Sequence, residues 1–125
     1  MSSSVAQPTI FSRIIAREIP ATIVAETEHI IAFLDIAPKA PVHVVITTKD
    51  PQYQNVVELA AGNPALLAEL VAVAEQIAAK RTQGQFRLVF NTGAAAGQTV
   101  FHVHAHVLGS PEASEPLGED SLGAL

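Results

Sequence analysis

Residues 97–109 read Gly-Gln-Thr-Val-Phe-His-Val-His-Ala-His-Val-Leu-Gly, with histidine at every second position from 102 to 106 inside an otherwise apolar run. Successive side chains of a strand point to opposite faces, so this spacing sets His102, His104 and His106 in one row on one side of a sheet. Three polar rings buried side by side would need three sets of partners. A chain with such a strand therefore has to build a sheet around it and give the imidazole row something to do.

The remaining segments can build that sheet. Thr9 caps a short helix over residues 10–17, with Ile10, Phe11, Ile14 and Ile15 on one side and Pro20 ending the run. Residues 22–26 and 29–36 read as strands joined by a turn at Thr27-Glu28. Pro38 and Pro41 stiffen the next connection, and the β-branched run 42–48 forms a third strand closed by Asp50-Pro51. Asn63 as N-cap, Pro64 in the first helical position and a stripe of Leu67, Leu70, Val71, Ala74, Ile77 and Ala78 predict a helix from residue 63 to about residue 81. Lys80 and Arg81 suit its negative end, and Gly84 lies just beyond. A fourth strand over 86–91, a small-residue loop over 92–98 and a fifth strand over 99–108 complete the pattern. The sum is an α+β domain, a five-stranded antiparallel sheet with one long helix and a short N-terminal helix. Residues 1–8 are expected to be a disordered tail, 9–109 the domain and 110–125 a loose C-terminal tail.

Composition narrows the function. The 125 residues suit a single core. Cysteine is absent, which removes disulfides and thiolate metal sites. A net charge of −5 does not fit a footprint on a nucleic-acid backbone, which needs clustered cations. With no long apolar run and no export signal at the start, no membrane partner and a cytoplasmic location are expected. A small anionic ligand remains open, because imidazoles, hydroxyls and backbone N–H groups can bind one locally.

The residues alone leave three readings of the histidine row. The rings could be satisfied structural histidines. They could supply part of a metal site, although ends of the row about 13 Å apart at the backbone cannot all reach one ion; His43 or Asp35 would then complete a two-histidine set. The third reading is nucleophilic and acid/base chemistry on a phosphoryl group, in which one imidazole attacks and its neighbours hold oxygens and assist the leaving group. The preceding loop favours the third, since Gly93-Ala-Ala-Ala-Gly97 lets backbone approach an anion and Gln98 and Thr99 add polar contacts.

The block His102-Val-His104-Ala-His106-Val, preceded by Asn91, Gly97, Gln98, Thr99 and Val100, resembles the signature of the histidine-triad (HIT) family, in its nucleotide-binding, HINT-like branch. Residues 10–21, 32–36, the Pro38-x-Ala-Pro41 segment and His43 follow in the order of that branch, so the likeness covers about residues 9 to 109. The chain departs from the family at Thr48-Lys49-Asp50-Pro51, at Thr92, at Thr99, which stands for the more frequent Ser and keeps the hydroxyl, and in having no Trp in its tail and no Cys pair.

The resemblance implies a HIT-like fold and a homodimeric hydrolase acting at the α-phosphorus of purine nucleoside phosphoramidates, derivatives of AMP or GMP, without cofactor or metal. Dinucleoside polyphosphate hydrolysis, or nucleotide sensing with little turnover, is the alternative. By the same resemblance His104 is the nucleophile, His106 assists the leaving group and binds phosphate, and His102 and His43 order the imidazole network. Asn91, Gly97, Gln98 and Thr99 would surround the phosphate, Asp35 would take the ribose hydroxyls, and Ile10, Phe11, Ile14, Phe33, Ile36 and Val45 would form the base pocket. Phe33 and Asp35 share a strand face by period two, so an apolar wall and a carboxylate can sit together.

Overall fold

The computed structural model describes residues 8–112 and 114–118; the tail expectations for 1–7, 113 and 119–125 lie outside the described residues. The elements run α1 (Ile10–Ile15), β1 (Ile23–Glu26), β2 (Ile30–Leu34), β3 (Val42–Thr48), α2 (Val56–Gly62), α3 (Pro64–Arg81), β4 (Arg87–Val89), a 3-10 turn (Ala94–Ala96) and β5 (His104–Gly109). All five strands form one antiparallel sheet in the order β1-β2-β3-β5-β4.

The sheet has two unlike faces. Ile30 and Ala32 of β2, Val44 and Ile46 of β3, and Ala105 and Val107 of β5 point to one side, where Leu59 of α2 and Leu66, Leu70, Val73, Ala74 and Ile77 of α3 cover them. Each fully buried Val, Leu or Ile side chain of this layer stabilises the fold by about 1.5–3 kcal/mol. The alternate residues face the other way. Strand register there lines up Phe33, Val45, His106 and Val89 across β2, β3, β5 and β4, with Thr47 beside His104. Only part of this second face is covered, by a smaller cluster in which Phe11 and Ile14 of α1 pack on Phe33 and Val45.

Local chemistry sets the ends of the elements. Thr9 and Ser12 form a reciprocal capping box at the start of α1. The helix stops two residues earlier than its pattern predicts, because Arg17 turns into the left-handed region (φ 63°) while Glu18 N–H bonds back to Arg13 O. Asn63 closes α2 and caps α3 with its side chain on Leu66 N–H.

Besides the shorter α1 and a fourth strand confined to Arg87–Val89, three expectations need correction. The architecture has a further helix, α2, beyond the predicted long and short ones. Its signal is Asn55 three residues before Glu58, each side chain taking a backbone N–H of this turn, which the β-branched Val56-Val57 obscures. On α3 the buried stripe is Leu66, Leu70, Val73, Ala74, Ile77 and Ala78; Val71 is 41% exposed and Leu67 half-buried. The fifth strand begins at His104, not Thr99, because β3 ends at Thr48 and the chain before His104 has no strand left to pair with. It is tied instead by Val103 N–H to Tyr53 O. Among the described residues no helix is long and apolar enough to cross a membrane.

Candidate active site

The partly covered sheet face holds a cleft of about 440 Å³ between α1, the β2–β3 connection and the loop before β5. Its inner wall is apolar, made by Phe11, Ile14, Phe33 and Val45, and among its polar lining residues, which include Lys39 and Thr99, Asp35, His43, His104 and His106 lie together. A concave, mostly apolar space with a few convergent polar groups is the form of a small-molecule site. α1 closes one side of it, since the Phe11 ring meets His104 edge-on at 4.7 Å and Phe33 at 5.6 Å.

Fixed backbone groups dictate where the imidazole protons sit. His104 Nδ1 lies 2.9 Å from the carbonyl oxygen of His102, which can only accept, so Nδ1 carries the proton and Nε2 keeps a free lone pair in neutral His104. His43 Nδ1 accepts the backbone N–H of Lys39 at 2.9 Å. Its proton is therefore on Nε2, which lies 2.9 Å from His106 Nδ1 and 3.4 Å from Asp35 Oδ2. His106 thus accepts at Nδ1 and carries its own proton on Nε2. His102 stands apart: 1% exposed, it donates from Nε2 to Thr48 O at 2.6 Å, and its Nδ1 is the only partnerless buried side-chain nitrogen or oxygen among the described residues. The unpartnered Nε2 atoms of His104 and His106 are accordingly reached by solvent.

Burial is the leading cause that pushes all four of these imidazoles below the usual histidine value. His106 falls to about 4, with His104 and His43 adding to the effect and Asp35 opposing it. Hydrogen bonds to Thr48 O and to His102 O work against the shift at His102 and His104 respectively, and Asp35 works against it at His43. At neutral pH the cleft thus presents uncharged rings, one with a bare nitrogen and one with an N–H.

The structure brings most of the predicted site together. Ile10, Phe11, Ile14, Phe33, Asp35, Ile36, His43, Val45, Gly97, Thr99, His104 and His106 all line the cleft, Ile36 almost fully exposed at its rim. Asp35 is placed by its own N–H on His43 O, which extends the β2–β3 ladder past Leu34, and its Oδ1 takes Ala37 N–H at 2.7 Å. His102, Asn91 and Gln98 do not line it. Gln98 is buried, accepting Gly93 N–H and donating to Gln54 O and Val100 O, so it clamps the glycine loop from behind. Sequence reasoning missed Ile19, Pro20, Ala21 and Lys39 as lining residues, and also Leu34, Ala37 and Val100, each a chain neighbour of a predicted one. The apolar Ile19-Pro20-Ala21 run was the available signal for the first three; Lys39 has none.

Asp35, His43 and His106 place one potential ligand atom each within 4.8 Å of one another. The donor set does not fit a metal ion. The Lys39 N–H occupies the lone pair of His43 Nδ1, so Nε2 carries hydrogen and has no lone pair to offer. The three groups meet by sharing protons.

Fold and site together define a small α+β protein whose open sheet face carries a cleft of neutral histidines. The HIT domain family matches residues 16–113. An uncharacterised HIT-like protein of Synechocystis sp. is 50% identical over 117 residues, covering 90% of this chain and 99% of that protein. The purine nucleoside phosphoramidase of Escherichia coli (strain K12) is 38% identical over 115 residues, covering 90% and 92%. Among solved structures, a HIT family hydrolase from Clostridium thermocellum matches with a TM-score of 0.79 at 40% identity, covering 90% and 98%. The chain belongs to the HIT domain family.

Proposed function

We propose that this protein is a nucleotide-binding hydrolase that cleaves the P–N bond of purine nucleoside phosphoramidates through a covalent nucleotidyl-His104 intermediate. One observation carries the reading: the Nδ1–H of His104 is tied to His102 O, which leaves Nε2 as a free lone pair open to the cleft. A neutral imidazole so aimed is a nucleophile that needs no prior deprotonation.

In the first half-reaction Nε2 of His104 bonds to the α-phosphorus as the P–N bond breaks. The bonding pair departs on the amine nitrogen, which leaves with a proton drawn from solvent. Water then attacks phosphorus and returns one proton to solvent, the pair of the phosphorus–imidazole bond goes back to His104, and a nucleoside monophosphate is released. His106 Nε2–H faces the phosphoryl group as a hydrogen-bond donor, which replaces the leaving-group assistance that the family resemblance implies for it. Gly97 and Thr99 approach the phosphate, Asp35 takes the ribose hydroxyls, and the base lies against Ile10, Phe11, Ile14, Phe33, Ile36 and Val45. Because Gln98 turns inward, it serves the phosphate by holding the loop, and Asn91 acts from outside the lining. The 38% identity to a purine nucleoside phosphoramidase supports the substrate class. The working form is proposed to be a cytoplasmic homodimer without cofactor.

Mass spectrometry after brief mixing with an adenosine phosphoramidate tests this, with quenching in neutral denaturant because phosphorus–imidazole bonds are labile in acid. One added nucleotidyl mass on His104 is expected. Turnover with no adduct, or with the adduct on another residue, overturns the reading.

A further inference from the structure

Lys39 sits in the stiff segment Pro38-Lys39-Ala40-Pro41, and its role at the site is played by backbone. Its N–H donates to His43 Nδ1 at 2.9 Å. An amide N–H can only donate, so that nitrogen must keep its lone pair. Across the ring, the Asp35 carboxylate 3.4 Å from His43 Nε2 can only accept. Both neighbours demand the same tautomer, with the proton on Nε2, and that proton meets His106 Nδ1 at 2.9 Å.

The chain Lys39 N–H to His43 to His106 therefore runs one way. A cationic His106 would carry a second proton on Nδ1, directly opposed to the Nε2–H of His43. Relief would require His43 to move its proton to Nδ1, against the Lys39 amide. A side-chain hydroxyl in that place could rotate and accept; a peptide N–H held between two prolines cannot. The charged and titratable groups around the pair are Asp35 after β2, Lys39, and His104 on β5. Of these only Asp35 favours a cation, and its carboxylate is already satisfied in part by Ala37 N–H.

We propose that the Lys39 amide is a positioning group which, through His43, holds His106 as a neutral imidazole with its proton on Nε2 even when an anionic phosphoryl group is bound. His106 then meets the substrate as a neutral hydrogen-bond donor, in the manner of a neutral imidazole electrophile, and not as a cation that surrenders a proton. The amine nitrogen takes its proton from solvent, as the step above is written. The catalytic meaning rests on the nucleophile reading of His104; the protonation pattern does not.

Heteronuclear NMR of the ring nitrogens, with adenosine monophosphate as the bound anion at neutral pH, reads the pattern directly. His43 and His106 are expected as Nε2–H tautomers and His104 as Nδ1–H. A doubly protonated His106 in the wild-type complex overturns the proposal. His43→Ala admits water, which accepts as readily as it donates, so His106 in that variant is expected to gain a second proton when the nucleotide binds. Lys39→Pro deletes the amide hydrogen and is expected to do the same, whereas Lys39→Ala retains the wild-type pattern. Should Lys39→Pro not fold, the wild-type and His43→Ala spectra decide between the outcomes. A His106 that stays singly protonated in His43→Ala shows that the chain does not control it and overturns the proposal. In turnover, His43→Ala should lower kcat by about 10-fold or more, with KM moved less. Absence of the nucleotidyl-His104 adduct would remove the nucleophile reading while leaving the spectra as expected. A doubly protonated wild-type His106 would do the reverse.

Discussion

The two faces of the sheet are built from alternate residues of the same strands, yet they spend burial in opposite ways. On the helix-covered face Val44, Ile46, Ala105 and Val107 are fully buried among aliphatic neighbours, and removing them from water is favourable. One residue away in sequence, His43, His104 and His106 are also largely buried, at 4%, 9% and 9% exposure, but there burial opposes charge and lowers their proton affinity. The comparison teaches that stability is generated on one side and used on the other to hold reactive, uncharged imidazoles in place.

The sharpest way to break the comparison is His104→Ala. Activity on an adenosine phosphoramidate should fall on the order of 1000-fold or more, while the melting temperature changes little; a variant that loses stability instead of rate would make the cleft face structural. The mirror experiment is Leu70→Ala, which opens the covered face. It should destabilise by about 2–5 kcal/mol in urea unfolding while each folded molecule keeps its turnover rate.

Acidification extends the contrast because the buried imidazoles lie on or beside the cleft face, and the aliphatic side chains of the helix-covered face have nothing to protonate. A histidine whose folded pKa is depressed adds stability that is complete above the unfolded value near 6.5 and is lost as pH falls toward the folded one. For His106, at about 4 when folded, the whole loss is about 3 kcal/mol between those limits. His43, His102 and His104 act in the same direction. Urea unfolding should therefore show lower stability at pH 5 than at pH 7, and turnover should fall once pH passes through the lowered value of His104. Equal stability at both values would mean the imidazoles are not buried neutral. The smallest expected effect is Gln98→Ala. Loss of its clamp on Gly93, Gln54 and Val100 should cost about 1–3 kcal/mol and weaken binding of adenosine monophosphate by loosening the loop, measured by calorimetry.

Much of this could be read from the chain, for reasons that differ by element. β3 and α3 were legible as elements because a seven-residue β-branched run and an eighteen-residue helix opened by Asn63-Pro64 leave little else to form, although the buried face of α3 was read partly wrong. α2 was not, because a seven-residue helix opening on two valines looks like a strand fragment. Residues 99–103 look like more strand, and only the length of β3 decides that they are not. At the site, His104 and His106 were visible by alternation alone. Gln98 was misplaced because a glutamine beside a glycine loop is as able to turn inward to Gln54 O as outward to a ligand. Lys39 carried no signal, since its part is taken by a backbone amide that every residue but proline owns.

Sequence alone determined which residues share a face, because period two is a property of the extended chain and needs no partner. It also set the chemistry of the cleft strand, the alternating imidazoles His104 and His106, while His102, expected in the same row, falls before β5 and outside the lining. Tertiary structure decided which nitrogen of each ring carries the proton. That choice depends in part on groups far away in sequence, Thr48 O opposite His102 and His43 Nε2 opposite His106 Nδ1, brought within hydrogen-bond distance only when the strands align; the nearer partners, the Lys39 amide and His102 O, act only once the local chain has its folded shape. Donors and acceptors are directional, so the polarity of the network exists only after folding.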